Sequence, residues 1–148
     1  MKTSVASTQC LTNAFWHFSA QTHEQKESER LQQIKSGVSV DLVDAIHVAF
    51  NLSDAHLAIL FNTSLTTLKR RKQQQKPLDS IASERLDRIA SVCQKAQEVF
   101  ESRVAATRWM SAPNQSLGHS IPVMLCVTEI GANQVRRVLH ALEWGGVV

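Results

Sequence analysis

The chain has 148 residues, 43% hydrophobic and 20% charged, with 16 Lys and Arg against 13 Asp and Glu. That is the balance of an ordinary globular protein able to bury a core, as one domain or two small ones. No apolar run approaches membrane-spanning length and the start lacks the continuous apolar core of a signal peptide, which predicts a cytoplasmic protein without a membrane partner. Tyrosine is absent, glycines and β-branched runs are few, and Ala, Leu, Gln and Ser abound, so the expected fold class is all-α.

Residues 1 to about 20 read as flexible, except that Phe15, Trp16 and Phe18 form a cluster more apt to pack onto the domain than to mark a partner contact. His23 to Lys35 is polar and helix-favouring, with acids preceding bases at helical spacing, and Gly37 ends it. Val38 to Leu52 carries Val40, Leu42, Val43, Ile46, Val48, Ala49, Phe50 and Leu52 at helical period. One buried stripe needs fewer apolar positions, which predicts contact with a second subunit and hence a homodimer.

Ser53 to Lys76 reads as two short helices joined by a tight turn. Ser53 caps the first, Leu57, Leu60 and Phe61 form its apolar face, and Ala58 allows close approach of another helix. Asn62 tolerates the left-handed conformation that the turn needs. Thr63 or Ser64 caps the second helix, which buries Leu65 and Leu68. The spacing Ala58, Asn62, Leu68 fits a helix-turn-helix. Lys69, Arg70, Arg71, Lys72 and Lys76 follow with no acid between Asp54 and Asp79, whereas residues 79–148 balance 7 basic against 7 acidic residues. The excess positive charge is therefore local, the footprint of a DNA-binding module. Ser64, Thr66, Thr67 and Arg70 are the candidates for base edges; Lys69, Arg71 and Lys72 for phosphates.

Pro77 stops the basic helix and Asp79 or Ser80 caps the next. From Ile81 to Ser102 the positions Ile81, Leu86, Ile89, Val92, Ala96, Val99 and Phe100 hold one stripe, predicting a long linking helix. Val104 to Met110 is a short helix, followed by turns at 111–114 and 117–118. Pro122 opens a helix running through Cys126 to Glu129, Gly131 interrupts, and Asn133 to Glu143 is the final helix. Gly145 and Gly146 end it, leaving Val147 and Val148.

Cys10, Cys93 and Cys126 are odd in number and far apart, and the six histidines show no paired spacing. Neither a disulfide framework, a metal site nor a cofactor is expected. An enzymatic reading using Cys126 with His140, or a serine near His119, lacks a base and an orienting group at recognisable spacing.

Trp109, Pro113-Asn114, Leu117-Gly118, Pro122, Thr128, Gly131 and the terminal Gly145 and Val147 resemble the toxin-binding domain of the Xre/MbcA/ParS antitoxin family. Residues 53–72 resemble that family's Xre-like helix-turn-helix, with Thr67-Leu68 and Arg70-Arg71 matching its usual run. His119 and Asn62 stand where glycine is commoner in the family. The resemblance implies a non-enzymatic type II antitoxin that represses its own operon at operator DNA. It further implies that the antitoxin blocks a cognate toxin, most often a RES-domain protein that degrades NAD. The implied division is an N-terminal segment, partly flexible, over 1–37, a DNA-binding and dimerisation domain over 38–102, and a toxin-binding domain over 103–148. Within the last, Arg137, His140, Trp144, Gly145, Gly146, Val147 and Val148 are the candidate toxin contacts, with Val147, Val148 and the terminal carboxylate plugging the toxin's pocket. The alternative is a free-standing regulator whose C-terminal half senses a small molecule or dimerises.

Overall fold

A computed structural model describes residues 5–145, with side chains from residue 7 onward. Among the described residues the chain forms nine α-helices and a single 3-10 turn, with no strand. The helices are α1 (Val5–Glu24), α2 (Glu27–Ser36), α3 (Leu42–Phe50), α4 (Asp54–Phe61), α5 (Leu65–Gln73), α6 (Ser80–Phe100), α7 (Arg103–Ser111), α8 (Pro122–Leu125) and α9 (Glu129–Glu143). The 3-10 turn spans Gln115–Leu117.

The helices start where side chains satisfy their free N–H groups. Ser53, Ser64, Ser102 and Thr128 each accept through the hydroxyl from the backbone N–H three residues on, and Asp79 does so through its carboxylate. Each such cap contributes about 1 kcal/mol. Asn62 closes α4 with φ 53°, the left-handed conformation that asparagine tolerates.

Helix α6 is the axis of the fold. Its Leu86, Ile89, Ala90, Val92, Cys93 and Ala96 are buried, and α1, α2, α4, α7 and α9 all pack against it. Burying each large side chain contributes about 1.5–3 kcal/mol, so this stripe holds both halves of the chain together.

Helix α1 corrects the expected flexible start from residue 5 onward; residues 1–4 lie outside the described residues. Phe15 and Trp16 lie at the centre of the core, Phe15 meeting Trp16 and Phe50 edge-on at centroid distances of 5.5 and 4.9 Å. Polar groups on the same helix are buried with partners: the Ser19 hydroxyl donates to the Ala90 carbonyl at 2.8 Å and accepts from Gln94 at 2.9 Å. Trp16 donates its indole N–H to Thr107 at 3.2 Å, joining α1 to α7.

Helix α1 also accounts for the apolar excess on α3. Leu42, Val43, Ala45, Ile46, Ala49 and Phe50 are buried within the chain, and α1 is the neighbour that covers them. Those positions therefore provide no ground for a second subunit. The helix begins at Leu42 rather than Val38. Val38 instead donates to Ser83 at 2.9 Å and accepts from Leu78 at 2.9 Å. Gly37 permits that junction: with φ 93°, an added Cβ would lie 2.5 Å from the Leu78 carbonyl oxygen.

Gly131 lies inside the first turn of α9 and does not interrupt it. An added Cβ would come within 2.0 Å of the Leu125 carbonyl oxygen, so glycine lets α8 and α9 meet. Ile81, Val104 and Ile130 are exposed. No described helix is long and apolar enough to cross a membrane.

Candidate functional site

Two surfaces carry the residues singled out from the sequence. The first is α5. Leu68 is buried and Leu65 packs beside the core, which turns Thr66, Lys69 and Arg70 outward. Ser64 is exposed but occupied: its hydroxyl accepts from the Thr67 N–H at 3.2 Å and donates to the Thr67 Oγ1 at 3.0 Å. Arg71 donates to the Pro77 carbonyl at 2.9 Å, closing the turn after the helix. Lys72 pairs with Asp44 on α3. The seven sequence candidates thus share one helix but not one condition. Lys69 and Arg70 have no ion pair among the described residues, while Arg71 and Lys72 are engaged within the chain.

Between α3 and α5 lies a cleft of about 240 Å³, lined in part by Asp44, His47, Asp54, Lys69 and Lys72. Arg85 on α6 donates to the Ile59 and Leu60 carbonyls at 2.9 and 3.2 Å, tying the end of α4 to the axis. Sequence reading missed Asp44 and Arg85, whose partners are distant in the chain.

The second surface is α9. Arg137, His140 and Trp144 recur at helical spacing and form one exposed ridge, Trp144 being 77% exposed. The His140 and Trp144 rings meet edge-on at 6.0 Å, and His140 Nδ1 lies 3.8 Å from Glu143 Oε2. Arg137 separates two clefts, one of about 470 Å³ with Leu117, Gly118 and Gln134, the other of about 730 Å³ with Lys95 and Arg136. Gly145 follows with φ 77°. Gly146, Val147 and Val148 lie outside the described residues.

Beside this ridge an ion network fixes α9 to α6. Arg88 donates Nε to Glu129 at 3.0 Å and Nη1 to the Cys126 carbonyl at 3.0 Å, and it pairs with Glu84. Arg136 donates to Glu129 at 2.7 Å and to Asn133 at 2.7 Å. The hydrogen bond from Arg136, aided by the charges of Arg136 and Arg88, holds the Glu129 carboxyl below its ordinary value despite some desolvation.

The turn before α8 is built by Asn114. Its side chain accepts from the Ser116 N–H at 2.9 Å, and its backbone pairs with Ser120. Trp109 is half-buried and leans on Phe100 at 5.8 Å.

The Cys126–His140 pair has no catalytic geometry. Cys126 is buried, its thiol donates to the Pro122 carbonyl at 3.4 Å, and burial pushes its pKa up to about 12. His140 is exposed, and its ring meets Trp144 instead. A thiol so protonated is inert as a nucleophile.

Residues 29–91 match the family model described as the antitoxin Xre-like helix-turn-helix domain. Residues 95–145 match the antitoxin Xre/MbcA/ParS C-terminal toxin-binding domain. The chain is 33% identical over 116 residues to a protein named Antitoxin Xre from Yersinia enterocolitica, covering 78% of each. The chain belongs to the Xre/MbcA/ParS antitoxin family. A second Antitoxin Xre, from Pseudomonas putida, is 35% identical over 81 residues, 55% of this chain and 51% of that protein. The antitoxin is a non-enzymatic regulatory protein of a toxin–antitoxin pair. Its two matched segments meet inside α6, and α1 lies outside both.

Proposed function

We propose that this antitoxin neutralises a RES-domain, NAD-degrading toxin by covering its active site, and that it represses its own operon through α5. The observation that carries the reading is the pairing of two exposed surfaces on one axis: Lys69 and Arg70 on the helix-turn-helix, and Arg137, His140 and Trp144 on the toxin-binding domain. In this reading Ser64 and Thr67 shape the start of α5, Thr66 and Arg70 meet base edges, and Lys69, Arg71 and Lys72 meet phosphates, Lys72 after leaving Asp44. Arg137, His140, Trp144 and Gly145 frame the toxin contact. In the same reading Gly146, Val147 and Val148 extend this contact into the toxin's pocket.

The protein acts in the cytoplasm as a homodimer on two half-sites about 10 base pairs apart. Since α3 is covered by α1, the dimer contact falls to the exposed Ile59 and Ile81; Arg85, one turn after Ile81 on α6, bonds the Ile59 carbonyl. Light scattering of an Ile59→Glu, Ile81→Glu variant tests this, a monomer being expected.

Co-purification of the tagged chain with the product of its neighbouring reading frame tests the main reading. An NAD-degrading partner retained in the complex is expected; a partner without that activity sinks the RES assignment.

A further inference from the structure

A groove of about 580 Å³ runs between α1 and α7, away from the α9 ridge. Gln9, Thr12 and Asn13 form one wall, Arg103, Val104 and Arg108 the other, with Trp16 and Thr107 at the floor. Its charge is one-sided. Two guanidinium groups line it, no carboxylate does, and among the described residues neither arginine has an ion pair. Arg103 lies over the Trp16 ring, its Cζ 5.9 Å from the centroid, a cation–π contact that leaves its N–H donors unspent on the ring. Val104, 67% exposed, sets an apolar contact beside the cations.

The two walls have different origins. Helix α7 belongs to the toxin-binding segment, residues 95–145, whereas α1 lies outside both family segments. The groove therefore joins a family element to one that the family patterns do not describe.

We infer that this groove receives an acidic segment of the toxin, a stretch bearing Asp or Glu beside an apolar residue, and that it sets which toxin the antitoxin accepts. The inference rests on the antitoxin reading and adds a second contact to the α9 ridge. Carboxylates meet Arg103 and Arg108, the apolar residue covers Val104, and Asn13 supplies amide donors, its Oδ1 held by the Gln9 amide at 3.0 Å. The exposed Val104 beside the two arginines favours a protein segment, which can cover it with an apolar side chain, over a phosphate backbone, whose partners are cations and polar donors.

The test is calorimetric titration of the full chain with the product of its neighbouring reading frame, at low and high salt. Arg108→Glu and the Arg103→Gln, Arg108→Glu pair are compared with wild type, with circular dichroism reporting the fold. Arg108 is exposed, so Arg108→Glu spares the core and remains informative if the pair fails to fold. Affinity should fall about tenfold or more for folded variants, less so at high salt. Unchanged affinity for folded Arg108→Glu overturns the inference. So does loss of operator binding with toxin affinity intact, which assigns the groove to nucleic acid. If wild type binds no such product, the antitoxin reading falls and the groove inference with it; wild-type binding with unaffected variants removes the groove alone.

Discussion

Arg88, in the middle of α6, donates to Glu129 at the start of α9 across 3.0 Å while its second nitrogen holds the Cys126 carbonyl. One side chain, 11% exposed, thus bonds the axis to both helices at the end of the chain. Removing it leaves a buried carbonyl unpaired and frees Glu129 from one of its two arginines. Arg88→Ala should cost about 1–3 kcal/mol in urea unfolding. Chymotrypsin cleavage near Trp144 should rise with it.

Glu129 also makes stability depend on acid. The Glu129 carboxyl is held below its ordinary value of 4.5 in the folded chain, chiefly by Arg136, so folding favours its ionised form. That stabilisation is complete above the unfolded value and is lost as pH falls through the folded one. Glu129→Gln should melt below wild type at pH 7, with the gap narrowing as pH falls below 4.5. Because Glu129 is 57% exposed, the effect is small. A gap independent of pH would show that the carboxylate's charge contributes nothing.

Helix α1 is part of the core and not an appendage. Phe15 is fully buried against Trp16 and Phe50. Phe15→Ala should destabilise the chain by about 3–5 kcal/mol. Equilibrium denaturation checks this, and a loss under 1 kcal/mol would mean that α1 is dispensable.

Lys72 is held by Asp44, and in the proposed operator contact DNA competes with that pairing. Asp44→Ala should raise operator affinity in fluorescence anisotropy, because the lysine reaches phosphate without first giving up a partner. Lys72→Ala should lower the slope of log affinity against log salt by about one. Arg70→Ala should cost about 1–3 kcal/mol at its cognate base and relax preference there.

How far these features could be read in advance follows from the range of the interactions. The turn from α4 to α5 was legible because its determinants are local: Ser53 and Ser64 cap within three residues, and Asn62 adopts φ 53° on its own account. The α6 stripe was legible by its period. Helix α1 was not, because Ser19 and Thr22 are buried among its aromatics, and Ser19 is accommodated by partners on α6 that no local pattern announces. The same holds for charge. Lys72 finds Asp44 28 residues away, and Arg88 reaches residues 38 and 41 positions on, so in sequence both look like solvated cations. Gly131 read as a breaker because its role is space for the Leu125 carbonyl.

The central claim, that the α9 ridge silences an NAD-degrading toxin, is tested most directly by NAD loss. The toxin from the neighbouring reading frame is mixed with equimolar antitoxin, either wild type or an Arg137→Glu, Trp144→Ala variant whose fold and operator binding are verified. Both substituted residues are exposed, so the core is spared. Wild type should abolish NAD consumption and the variant should leave most of it. A variant that suppresses NAD consumption as fully as wild type would contradict the account and move the inhibitory contact off this ridge.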